Sequence, residues 1–133
     1  MAKKVKLTPA EWEIMNAVWQ LNKECSVRDV LEYLYPNGEK AYTTIQAFMN
    51  ILERKGVLHR KKVGLVNFYF PTRSKDKVVK AEMSSLLARV FGGSVTALAS
   101  SLMSLENVSL EEIQNIKDVL IKKEKELQGK CNE

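Results

Sequence analysis

With one histidine and two cysteines among 133 residues, the chain is poor in the side chains that build metal and redox centres. Cys25 and Cys131 stand far apart, and neither belongs to a pair with metal-ligand or redox spacing. A site made of Cys25, His59 and Cys131 would need three remote positions to converge. No metal is therefore expected, and both cysteines are expected to be reduced thiols. No Ser/His/Asp set and no phosphate-binding glycine loop is visible, so catalysis has no foothold. The chain reads as a non-enzyme without a cofactor. No stretch approaches the roughly 18 apolar residues of a membrane span, and the opening MAKKVKLTP lacks the apolar segment of a signal peptide. A cytoplasmic protein with no membrane partner is expected. Low-complexity segments and internal repeats are missing as well.

What is present is one core's worth of apolar residues and an uneven charge. A 45% hydrophobic content over this length supports one core, or one small domain with a helical appendage, and excludes a large multidomain enzyme. Residues 1–80 hold 15 Lys/Arg against 8 Asp/Glu, whereas residues 81–133 hold 6 against 8. A basic first part joined to a slightly acidic second part suggests a polyanion-binding head and a tail with another task.

The first helix is announced by Thr8-Pro9-Ala10-Glu11, an N-cap, a proline at N1 and a capping-box glutamate, with Leu7 placed to staple to Trp12. Its core stripe is Trp12, Met15 and Trp19, with Ile14 and Val18 beside it. A second helix is expected from Ser26, boxed by Asp29, burying Val27, Val30, Leu31 and Leu34 before Pro36-Asn37-Gly38 breaks it. Cys25, just ahead of that cap, is expected to be packed. A third helix over residues 44–55 follows from Ile45, Phe48, Met49 and Leu52 at i, i+3, i+4, i+7. Thr43, with Gln46 as box partner, is its expected cap, and Gly56 its stop. Two β-rich runs, residues 57–63 and 66–70, flank Gly64-Leu65, and Pro71 ends the second. Helix, helix, helix, hairpin is the winged helix-turn-helix order.

Opposite the apolar stripe of the third helix lie Thr43, Gln46, Ala47, Asn50 and Arg54, with Thr44 on the shoulder, and the hairpin adds Arg60, Lys61, Lys62 and Asn67. Each feature alone reads as solvated surface or an edge-strand guard. Together they fit duplex DNA. Arg54, Arg60, Lys61, Lys62 and the N-terminal Lys3, Lys4 and Lys6 would neutralise phosphates. Gln46 and Asn50 would each pair with adenine, and the methyls of Thr43, Thr44 or Ala47 would meet thymine methyls. His59 reads as a strand surface residue.

After Pro71 the pattern changes. Ser74 is expected to cap a longer helix with an apolar side of Val79, Met83, Leu86, Leu87 and Val90. Gly92-Gly93 interrupts, residues 95–103 read as another helix with Leu98 and Leu102 inward, and Ser109 with Glu112 boxes a last one carrying Leu110, Ile113, Ile116, Leu120 and Leu127. Three amphipathic helices in so short a segment leave apolar stripes that they cannot bury among themselves. A second subunit is the natural cover, with Val79, Met83, Leu86, Val90, Leu98, Leu102, Ile113, Ile116 and Leu120 as the dimerisation residues. The expected class is thus mainly α with a small β-wing: a winged-helix DNA-binding domain over residues 1–72 and a helical dimerisation region over residues 73–133.

LTPAEWEIMNAVW, AYTTIQAFMNILERKG, NFYFP, FGGSVTAL and SLEEIQNIKDVL together resemble the penicillinase-repressor family of bacterial regulators, which includes the methicillin-resistance and copper-responsive repressors. The resemblance spans residues 7–127. It implies a homodimeric repressor of an antibiotic-resistance or metal-homeostasis operon, binding a palindromic, inverted-repeat operator in double-stranded DNA. By position, Thr43, Thr44, Ala47 and Asn50 match the family's groove-facing helix and residues 60–67 its wing. An inactivating protease is a further partner the resemblance implies, although Ser101-Leu102 stands where penicillinase-type members are cut at an Asn-Phe bond. The paired cysteines of copper-responsive members are represented only by Cys131, and Leu65 follows Gly64 where the family often has arginine. From another class, a winged helix serving as a protein-interaction or RNA-binding module usually loses the basic wing or the polar arc. This chain retains both.

Overall fold

The structure, a computed structural model, describes residues 6–131, so Lys3 and Lys4 lie outside the described residues. The elements run α1 (Pro9–Leu21), α2 (Val27–Leu34), α3 (Tyr42–Arg54), β1 (Leu58–Val63), β2 (Val66–Pro71), α4 (Lys75–Phe91), α5 (Val95–Met103) and α6 (Leu110–Cys131). Two compact units result, one up to residue 85 and one from residue 86 on, the division falling inside α4.

In the first unit, α1, α2 and α3 enclose a core of Ile14, Met15, Val18, Val30, Ile45, Met49 and Leu52, closed by Val57, Leu58 and Tyr69 from the wing. The start of α1 follows its sequence signal in part. Thr8 Oγ1 accepts from the Glu11 amide at 3.3 Å, yet the expected return bond from the Glu11 carboxylate is replaced by another partner. Glu11 is 3% exposed, and its two carboxylate oxygens accept from Lys55 Nζ at 2.6 and 2.7 Å. A lysine ammonium 44 residues away outcompetes the cap amide, because it sets a full opposite charge against the carboxylate where the amide offers only a dipole. Lys55 Nζ also donates to the Lys6 carbonyl at 2.9 Å. The Ser26–Asp29 box forms in both directions, at 3.1 and 3.0 Å.

The expected cap of α3 requires correction. Ala41, not Thr43, is the N-cap, with no side-chain cap bond; its carbonyl accepts from the Thr44 and Ile45 amides at 3.1 and 3.3 Å. The helix therefore starts at Tyr42, and Thr43 and Thr44 fall inside its first turn. The far end stops as expected, at Gly56 with φ +81°. The Val57 amide reaches back to the Leu52 carbonyl and the Gly56 amide to that of Glu53, a Schellman closure whose apolar pair, Val57 and Leu52, is buried. That closure turns the chain directly from α3 into β1.

The hairpin pairs antiparallel in the register Leu58↔Pro71 to Val63↔Val66, around the two-residue turn Gly64-Leu65. Gly64 takes φ +64°, the placement of glycine that a type II′ turn needs. A further backbone pairing was not legible in the sequence. Cys25 and Tyr69 exchange both amide bonds, at 2.8 and 2.7 Å, so the residue ahead of α2 acts as a one-residue strand against β2. Cys25 is packed as expected, and burial, ahead of the nearby Asp29 carboxylate, pushes its thiol up to about 11.

In the second unit the expected Ser109 caps α6, accepting from the Glu112 amide at 3.1 Å, and Ser94, which the sequence reading did not single out, caps α5, accepting from the Ala97 amide at 3.1 Å. Ser74 likewise caps α4 in the first unit. None of the described residues from 86 on is buried. Leu98 is half-buried, but Leu102, expected inward, is 46% exposed.

The Glu11–Lys55 pair generates a stability prediction. Lys55→Met keeps the apolar stem but strands a buried carboxylate. Lys55 is itself about one-third exposed, which softens the 3–5 kcal/mol typical of a broken buried pair to about 2 kcal/mol. Urea unfolding should register that loss, and Glu11→Leu/Lys55→Met should recover most of it.

Candidate nucleic-acid interface

Along α3 the apolar stripe is inward: Ile45, Met49 and Leu52 are buried and Phe48 packs against the core. On the other side Thr43, Ala47 and Arg54 are exposed, while Thr44, Gln46 and Asn50 are half-buried. Because Ala41 supplies no side-chain cap, the Thr43 hydroxyl is not consumed by the helix terminus, and the positive end of the helix dipole is left to solvent or to an anion.

The wing's basic run is not one cluster. Cross-strand partners share a face of a hairpin, so Arg60 and Lys62 stand with Tyr69 and Asn67, on the side where Leu58 and Tyr69 are buried. Lys61 stands with Phe68 on the reverse side, where the His59 ring lies edge-on to Phe70 at 5.0 Å between centroids. Arg60, Lys61 and Lys62 are exposed and Asn67 is half-buried. Among the described residues, Arg54, Arg60, Lys61 and Lys62 take part in no salt bridge. Leu65, at the tip, is 96% exposed between the exposed Val63 and Val66.

Helix and wing meet at Tyr69. This residue is 1% exposed, is bonded through its backbone to Cys25, and donates its phenolic proton to Asn50 Oδ1 at 2.8 Å. Burial raises the phenol above the ordinary tyrosine range, against the Arg60 guanidinium, which favours phenolate. Sequence reasoning missed this contact. The available signal was an aromatic hydroxyl at an inward strand position, which when buried must find a partner.

A sign follows for alkaline stability. Phenols of the unfolded chain ionise near about 10, while the raised Tyr69 keeps its proton in the fold, so the unfolded state binds fewer protons above that pH. The phenol's contribution is complete below pH ~10 and declines as pH rises toward the folded-state value. Denaturant melts between pH 9 and 11 should show a shallower decline for Tyr69→Phe.

A family model described as "Penicillinase repressor" matches residues 7–122. The methicillin resistance regulatory protein MecI of Staphylococcus aureus (strain N315) is 25% identical over 121 residues, covering 91% of this chain and 98% of the relative. The penicillinase repressor of Bacillus licheniformis is 25% identical over 120 residues, covering 90% and 93%. Among solved structures, the monomeric form of Bacillus licheniformis BlaI in complex with the blaP half-operator is 28% identical, covering 57% of this chain and 92% of that one at a TM-score of 0.47. With the family model matched over most of its length, and with three helices and a basic hairpin in the order its residues imply, this chain belongs to the penicillinase repressor family.

Proposed function

We propose that the chain is a cytoplasmic, homodimeric transcriptional repressor that occupies an inverted-repeat operator in double-stranded DNA, reading bases with α3 and gripping phosphates with the wing. The observation that carries this reading is the seam at which the polar side of α3 adjoins a hairpin face bearing Arg60 and Lys62, neither of which takes part in a salt bridge among the described residues. Cations that no carboxylate of the chain neutralises release counterions when they meet phosphate, which gives affinity without sequence choice. Gln46 and the first-turn threonines supply the side chains for base contacts. A repressor family, not an enzyme family, is the context, and repression needs only occupancy of a promoter.

Residues 73–133 serve as the dimerisation region in this reading. Its support is energetic: Val90, Leu102 and Leu120 are 56%, 46% and 61% exposed, and no described residue from 86 on is buried, so the second unit has no interior of its own. Apolar area removed from water contributes about 25 cal/mol per Å², and a second copy supplies that cover. A two-fold pair would set its recognition helices about 34–36 Å apart, or a multiple of that, along the duplex. Release by an inactivating protease would require α5 to unwind at Ser101-Leu102, which is exposed but helical. An operon of the antibiotic-resistance type is the target the relatives' names favour.

Two substitutions separate grip from reading. Lys62→Ala should weaken binding to all duplexes alike and reduce the salt slope by about one, whereas Gln46→Ala should relax preference at one base pair per half-site and leave the slope intact. Salt titrations and randomised-operator selections measure these, and a flat response in both would remove this face from the interface.

The tail is tested by mass action. Leu120→Asp should yield monomer in sedimentation and lower operator affinity at fixed protein concentration; a variant that stays dimeric would relocate the contact.

A further inference from the structure

A free carboxamide reads adenine because it offers an acceptor to the N6 amino group and a donor to N7. Asn50 is not free. Its Oδ1 accepts from the Tyr69 hydroxyl at 2.8 Å, and the phenol cannot swing away, since Tyr69 is 1% exposed and its backbone is bonded on both sides of the residue to Cys25.

The second neighbour of the phenol oxygen fixes the direction of that bond. Arg60 stands directly across the strand pair, with its guanidinium toward Tyr69. A guanidinium has donors only, and a phenol has a single proton. The positive guanidinium faces the oxygen's lone pairs, and the proton goes to Asn50. The carboxamide therefore turns its oxygen inward, along the seam between α3 and β2, and its NH2 outward.

We infer that Asn50 meets the duplex as a donor alone, with Tyr69 as the positioning residue, so that α3 reads guanine at that base pair in place of adenine. Guanine presents two acceptors, N7 and O6, on its major-groove edge, and an outward NH2 has two protons to give them. Adenine presents its own amino group beside N7, which an outward NH2 opposes. The inference rests on the operator-binding reading proposed above and specifies the chemistry of one position in it.

The test is a randomised-operator selection with the full-length protein and its Asn50→Ala, Tyr69→Phe and Asn50→Asp variants, each checked for folding by circular dichroism. Asn50→Ala locates the position by randomising it. The wild type should select a G·C pair there. Tyr69→Phe frees the amide and should move that position toward A·T by on the order of 10-fold, leaving the other positions and the salt slope in place. Asn50→Asp, an acceptor alone, should disfavour guanine. A wild-type A·T preference, a consensus unaffected by Asn50→Ala, or identical preferences in wild type and Tyr69→Phe would overturn the inference. If Tyr69→Phe does not fold, the wild-type base at the Asn50→Ala-sensitive position decides. Failure of the wild type to select any duplex sequence would instead overturn the operator-binding reading, so the two failures are distinguishable.

Discussion

One buried tyrosine holds the polar side of α3 and the basic hairpin in register. Tyr69 is bonded through its backbone to the residue ahead of α2, and through its hydroxyl to the exposed side of α3, while its ring fills the core beneath the hairpin. A hairpin of two short strands is marginal on its own in water. Anchored in this way, β2 carries Asn67 and, across the ladder, Arg60 and Lys62 at fixed positions beside the helix. A protein that recognises a stiff polyanion gains from such rigidity, because side chains already held in place lose less entropy on binding.

The Glu11–Lys55 pair does related work at the other end of α3. Lys55 is the helix C-cap, immediately ahead of the Schellman closure that launches the wing. Fastened to α1 through a buried carboxylate and to the Lys6 carbonyl, it fixes where the helix ends and the hairpin begins. Buried pairs of this kind add little net stability compared with apolar replacements, because desolvation offsets much of the attraction. Their contribution is geometric, since only one arrangement satisfies both charges. The second unit is built on the opposite balance, with well-capped helices and no buried side chain among the described residues from 86 on.

Local signals were legible wherever the physics is local. The stop at Gly56, the Ser26–Asp29 box, the serine caps of α4 and α6 and the inward stripe of α3 depend on residues within a turn or two of each other. The cap of α3 misled because a threonine with glutamine three residues on has the form of a capping box, while the helix in fact begins two residues earlier, behind Ala41. Glu11 misled in the same way, since its place in a box pattern concealed a long-range cation.

The sequence by itself determined the class of fold, the succession of three helices and a basic hairpin, and the family, because periodicity, caps and turn residues are read over short spans. Tertiary structure alone decided how the candidate interface side chains are presented. The pleat sends Lys61 away from Arg60 and Lys62, Lys55 finds Glu11 across 44 residues, and the Asn50 carboxamide is engaged by Tyr69. Each of these depends on which distant groups share a low-dielectric seam, where an unpaired polar atom is too costly to leave, and no local pattern encodes that choice.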